Sequence, residues 1–259
     1  LRYATTLTMV SLMAHKARIF HLRGSVVDIG VKTCCVCGAS SFSEYRSVLW
    51  PALVSEWQLS SEEERYINIQ QGVQCTTCST NVRSIALAQA LLNFVGDKGT
   101  LISSITGGAL KEAKILEINE AGLLNKFFKH IPGHRLIQYP EYDMMNLNIA
   151  DSSYDIVVHS DTLEHVEFPI RGLSECRRVL RSGGACCFTV PVITDRMTRS
   201  RRGLPPSHHG SPRRPEDNLV HFEFGADFWT YPIRAGFEAT DIHTLAYPSG
   251  IAIVAKRLQ

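Results

Sequence analysis

From residue 113 onward, short apolar runs alternate with stretches in which apolar positions recur every three or four residues. Residues 113–118, 154–159 and 185–190 read as buried strands, 135–139 as a short one, and 238–245 with 250–256 as a terminal pair. Residues 123–130 and 225–236 read as helices. A third helix opens at Pro169, carries Ile170, Leu173, Cys176 or Arg177, and Leu180 along one side, and is closed by Ser182-Gly-Gly184. This alternation predicts an α/β fold, a mainly parallel sheet covered on both faces. Ligands in such sheets lie beyond the carboxyl ends of the strands. The polar residues at those ends are Glu117, the region from Glu141 to Asp143, and Ser160 with Asp161.

The first third has a different pattern. Cys34 and Cys37, then Cys75 and Cys78, form two C-x-x-C pairs, and Gly38 follows the first. Two such turns point four thiolates at one tetrahedral zinc. Cys35 is an alternative to Cys34 that the spacing disfavours; buried free thiols or a redox pair are the alternatives to a metal. Four sulfurs leave no open coordination position, so the expected zinc is structural. Between the pairs lie Trp50, Trp57 and Leu59, then Ser60-Ser-Glu-Glu-Glu64, a capping box that predicts a helix to about Gln71. Residues 81–95 carry Ile85, Ala88, Leu91, Leu92 and Val95 at helical spacing and are expected to pack the module onto the remainder of the chain. The division expected is a leader over 1–30, a zinc-binding module over 31–95, a hinge-like glycine-containing connector over 96–112, and the α/β domain over 113–259. The leader has an apolar patch from Leu7 to Met13 followed by Lys16 and Arg18. It lacks a persuasive cleavage site and reads as poorly ordered rather than secretory.

Composition narrows the function classes. The chain has 259 residues, 44% hydrophobic and 20% charged, with room for one large domain and a small module. No apolar run approaches the roughly 18 residues a membrane span needs. A net charge of +2 does not by itself call for nucleic acid. Eight cysteines without a secretion signal suggest a reducing, cytoplasmic setting.

Three stretches carry a family resemblance. Asp151-Ser-Ser-Tyr-Asp155-Ile-Val-Val, Ser160-Asp-Thr-Leu-Glu-His165-Val and Glu175-Cys-Arg-Arg-Val-Leu-Arg-Ser-Gly-Gly184, in that order, resemble class I S-adenosylmethionine-dependent methyltransferases. Ser182 stands where the pattern has proline, and the resemblance spans roughly 113–256. It implies a Rossmann-like, doubly wound, seven-stranded sheet and S-adenosylmethionine as cofactor. Glu117 would lie near the methionine end. Glu141 or Asp143 would accept the ribose hydroxyls, and Asp143 matches equally the aspartate that meets the adenine amino group. Ser160 and Asp161 complete the strand-end set. The chain between Glu117 and Asp155 is compressed relative to the pattern. The family's G-x-G-x-G loop here reads Asn119-Glu-Ala-Gly-Leu123. Asn119 tolerates left-handed φ, Ala121 is the smallest chiral substitute, Gly122 is retained, and Leu123 must either turn into the core or block the site.

For the acceptor, a hydroxyl needs a general base, and His165 follows the strand carrying Asp161. It reads equally as a helix-start histidine bonded to backbone. Residues 194–224 read as a lid, with Arg196, Arg199, Arg201, Arg202, Arg213 and Arg214 holding a phosphate or carboxylate of the acceptor; a solvated loop is the alternative. His208, His209 and His221 are secondary base candidates, and their spacing fits no common metal pattern. The leading expectation is O-methylation of a small-molecule or glycan-type hydroxyl. RNA methylation behind a zinc module, and a scaffold that kept the fold without catalysis, are the competitors; Leu123 favours the last.

Overall fold

The computed structural model describes residues 29–210 and 218–259. All of the expected leader except residues 29–30, and also Arg213 and Arg214, lie outside the described residues. Three helices come first, α1 (Pro51–Glu56), α2 (Ser61–Gly72) and α3 (Val82–Phe94). The expected capping box opens α2: Glu63 N–H donates to Ser60 Oγ at 3.2 Å, and Ser60 N–H donates to the Glu63 carboxylate at 2.7 Å. The glycine-containing connector is ordered. It holds α4 (Leu101–Gly107), capped by Thr100 and Ser103, with Leu101, Ile105 and Leu110 buried.

The α/β part runs β1 (Ile115–Ile118), a 3₁₀ turn at Gly122–Leu124, α5 (Asn125–Phe128), β2 (His134–Ile137), β3 (Tyr154–Ser160), α6 (Pro169–Val179), β4 (Leu180–Thr189), β5 (Val192–Ile193), β6 (Arg199–Ser200), β7 (Phe222–Gly225), α7 (Thr230–Arg234), β8 (Ala239–Leu245) and β9 (Gly250–Lys256). The main sheet has the order β2-β1-β3-β4-β9-β8. Its first four strands are parallel, and β9 and β8 form the expected antiparallel terminal pair. The sheet is mainly parallel and Rossmann-like, but among the described residues it has six strands where the resemblance implies seven. Residues 138–153 form turns and bends instead of a further strand, because the compressed segment lacks the length for a second crossover. The helix expected over 225–236 shrinks to α7, and that over 123–130 to the 3₁₀ turn plus α5.

Strand alternation sorts the core into two faces. Leu116, Ile118, Val157, Cys186, Phe188 and Ile253 face α6, packing with Leu173, Cys176 and Val179. Ile115, Ile156, Val158, Ala185, Cys187 and Val254 face the other way, onto Ile85, Ala88 and Leu91 of α3. Nine of the thirteen residues of α3 are buried, so this helix is a core layer rather than a surface strap. The cysteine-rich segment therefore supplies one of the two helical layers of the sheet.

His159 lies wholly inside the sheet, its ring 4.8 Å from that of Phe188. Burial drags its pKa from 6.5 to about 3, with the nearby Glu164 charge opposing. The folded-state value lies below the unfolded one. The unfolded chain therefore takes up a proton that the folded chain refuses, and stability present above pH 6.5 is lost as pH falls towards 3. Denaturant titrations at pH 8 and pH 5 should differ by about 2 kcal/mol more in the parent than in His159→Leu. Equal pH dependence in the two would show that His159 titrates normally.

Candidate functional site

Past β1 the chain turns without the usual glycines. Asn119 (φ 58°) and Glu120 (φ 56°) are both left-handed, and Gly122 (φ 57°) follows. Each non-glycine residue in that region costs on the order of 1–2 kcal/mol. Hydrogen bonds offset the cost. Asn119 Oδ1 accepts from Tyr139 N–H at 2.9 Å, and Asn119 N–H donates to Ile137 O at 2.9 Å. Glu117 is fully buried, and its carboxylate accepts from Ala121 N–H (2.6 Å) and Asn125 Nδ2 (2.8 Å) and meets His134 Nε2 at 2.6 Å. Glu117 is thus turned inward, lines neither cavity described below and braces the loop. Ala121 is likewise buried beneath the loop. Leu123 does neither of the things expected of it. It is 39% exposed and points away from the cavity, because the 3₁₀ turn rotates it outward.

A cavity of about 540 Å³ lies beyond the carboxyl ends of β1 and β3. Asn119, Glu120, Gly122, Ser160 and Asp161 line its strand-end side, and Arg83 reaches in from α3. The apolar wall is Leu49, Trp50, Leu53, Trp57 and Leu59, with Gln70 and Gln71 of α2 beside it. His209, Gly210 and Asn218 come from the region expected to be a lid. Arg83 is ion-paired to Asp161, whose carboxylate also accepts from Gln71 Nε2 and Thr189 Oγ1, both at 3.3 Å. Burial lowers the Arg83 pKa to about 10, against the pull of Glu164, and leaves the guanidinium charged at neutral pH. A Cβ on Gly122 would stand 2.9 Å from Ser84 Oγ and 3.4 Å from Ser160 Oγ, so glycine meets this positive φ at the least cost.

A second cavity of about 230 Å³ shares Asn119 and His165 with the first. Tyr139, Tyr142, Asp143, Met144 and His221 line it. Asp143 Oδ1 accepts from Met145 N–H at 2.8 Å, which fixes its carboxylate at the rim. Glu141 is exposed and lines neither cavity, so the structure separates the two acidic candidates that the sequence left level.

Of the histidine candidates, His165 and His209 line the larger cavity and their rings lie 5.1 Å apart; His221 faces the smaller one. His165 Nδ1 lies 3.0 Å from the backbone Leu219 O, and its Nε2 faces Glu164 at 3.7 Å. His209 Nε2 is 3.9 Å from the same Glu164 oxygen. The spacing of the histidines along the chain hid this trio, because Glu164 adjoins His165 in sequence whereas His209 returns only through the fold.

The arginines differ from expectation. Arg196 pairs with Glu63 and Glu223, Arg199 with Glu223, and Arg201 with Glu223 and Glu56. They clamp the segment to α1 and α2, aided by Trp57 Nε1 donating to Ser207 Oγ at 2.9 Å, and none of them lines the larger cavity. The strongest basic group there is Arg83, which sequence reasoning passed over as a residue of a packing helix.

The four cysteines converge. Cys34 and Cys78 Sγ are 3.7 Å apart, Cys37 and Cys75 Sγ 3.6 Å, and all four lie within 4.8 Å of one another. Sulfurs about 2.3 Å from a tetrahedral zinc stand close to that far apart, so the residues fit the ion. Cys35 is excluded, its thiol donating to Ile85 O at 3.4 Å.

Residues 99–188 match the family described as methyltransferase domain. That match assigns residues 99–188 to a methyltransferase domain. The match runs from just before α4 almost to the end of β4, so the matched residues include the loop after β1 and the Glu164–His165 pair. No curated protein matches the chain. Among solved structures, a SAM-dependent methyltransferase from Thermotoga maritima shares 16% identity over 76% of this chain and 95% of the other, with a TM-score of 0.39. One from Aquifex aeolicus shares 12% over 65% of this chain and 87% of the other, with a TM-score of 0.39. A Bacillus halodurans protein shares 16% identity over 51% of this chain, with a TM-score of 0.32, and this chain spans 63% of its length.

Proposed function

We propose that the chain transfers the methyl group of S-adenosylmethionine to a hydroxyl of a small-molecule or glycan-type acceptor. The observation that carries this reading is the Arg83–Asp161 pair set beside the left-handed turn Asn119–Gly122. A guanidinium and a carboxylate side by side complement the carboxylate and ammonium of the cofactor's methionine end. The smaller cavity, with its two tyrosines, Met144 and Asp143, takes the adenosine. The remaining space in the larger cavity, walled by Trp57 and Leu53, takes the acceptor. Its size and apolar wall suit a compact molecule, and Arg196, Arg199 and Arg201 are held by glutamates instead of being free for an RNA backbone. Zinc on the four cysteines is read as structural. Among the described residues, no helix is long and apolar enough to cross a membrane.

The sulfonium is a good leaving group, so positioning does most of the work, and the proton of the acceptor hydroxyl falls to the cluster around His165. His165→Ala is expected to lower turnover by about 100-fold or more, and cofactor affinity much less. Unchanged turnover would remove the residue from the reaction. The direct test is calorimetric titration of zinc-loaded protein with S-adenosylmethionine and S-adenosylhomocysteine. Micromolar binding supports the reading; no binding by a folded sample would favour a scaffold that has lost its cofactor.

A further inference from the structure

Glu164 is the least explained side chain in the molecule. It is 1% exposed and faces the larger cavity, and neither carboxylate oxygen has a hydrogen-bond partner among the described residues. A buried carboxylate left so is costly. The two imidazoles that approach it stop at 3.7 and 3.9 Å, beyond hydrogen-bond reach. Those separations suit two ligands that share one ion, since atoms each about 2.1 Å from a metal stand roughly 3–4 Å apart. The ligand atoms of Glu164, His165 and His209 all lie within 4.8 Å of one another. His165 is also oriented for such a role. With Nδ1–H donating to Leu219 O, the lone pair of Nε2 is left facing Glu164, the second contact that metal-bound imidazoles usually make.

We propose that Glu164, His165 Nε2 and His209 Nε2 bind a divalent transition-metal ion, separate from the four-cysteine site. Two imidazoles and one carboxylate form a nitrogen–oxygen set that suits zinc, manganese or iron and leaves positions open to the cavity. An ion there would polarise an acceptor hydroxyl and favour its ionised form. That consequence rests on the proposed methyl transfer; the binding of the ion does not.

The test uses full-length protein with zinc in the four-cysteine site, titrated with Co²⁺ and followed by visible absorption and metal analysis. The expected result is one further equivalent of cobalt, with a nitrogen–oxygen spectrum free of sulfur-to-cobalt charge transfer. Glu164→Gln and His209→Ala should each weaken that binding at least 10-fold while the zinc content stays at one. Thermal melts confirm that the variants are folded. No further equivalent in the parent, charge-transfer bands from cobalt entering the cysteine site, or equal binding in both variants would each overturn the proposal. Titration of the same samples with S-adenosylmethionine reads the methyltransferase function separately, so the two ideas fail independently.

Discussion

Removing zinc with a strong chelator, or replacing Cys75 with serine, is expected to abolish cofactor binding together with much of the stability. Cys34 and Cys75 are fully buried in the core that holds Leu91, Val158 and Val254. Structural zinc contributes about 10–16 kcal/mol to folding in small zinc-finger peptides, as much as the whole stability of a typical domain. The loss also spreads to the site. Helices α1 and α2 lie between the two cysteine pairs, and they carry Leu53, Trp57, Gln70 and Gln71 into the cavity wall. Arg83 follows the second pair by only a few residues, so its approach to Asp161 depends on the same clamp. Metal analysis, thermal melts and calorimetry on one set of samples check this. A Cys75→Ser protein that melts like the parent and binds S-adenosylmethionine equally well would show that no metal holds the segment.

Arg83→Ala should raise the dissociation constant for S-adenosylmethionine by roughly 30-fold or more, the cost of leaving a buried charge partner unmatched. Gly122→Val should do as much by a different route. A valine there needs a disfavoured positive φ, and its Cβ meets Ser84 Oγ and Ser160 Oγ. Leu123→Gly is the instructive control. Leu123 points outward, so restoring the glycine that the resemblance calls for should change affinity by less than about 3-fold, within the usual ±0.5 kcal/mol of a surface substitution. If Leu123→Gly instead tightens binding strongly while Arg83→Ala does nothing, the loop and not the charge pair governs the cofactor.

Much of the fold was legible because it rests on local periodicity. The strands around Leu116, Val157 and Cys186, the capping box at Ser60, the start of α6 at Pro169 and the terminal hairpin all lie close to where the apolar pattern puts them. The missing seventh strand was half legible, since the compression before Asp155 was visible but its outcome was not. Asn119 took the left-handed turn that asparagine tolerates; the left-handed Glu120 beside it carried no such signal. The sequence leaves the role of Glu117 open for a physical reason. A carboxylate at a strand end serves equally to hold a ligand or to hold its own loop, and only the positions of Ala121, Asn125 and His134 choose between these roles.

The sequence by itself determined the alternation of strands and helices, the four cysteines and the strand-end positions of Ser160 and Asp161, because these depend on neighbours a few residues apart or on recurring spacing. Only the tertiary structure decided which charges meet. Arg83 joins Asp161, Glu164 faces His165 and His209, and Arg196, Arg199 and Arg201 turn to Glu223, Glu56 and Glu63. Such encounters link residues brought together by packing α3 on the sheet and folding the lid over α1. Their energies depend on burial and distance, which no local pattern encodes.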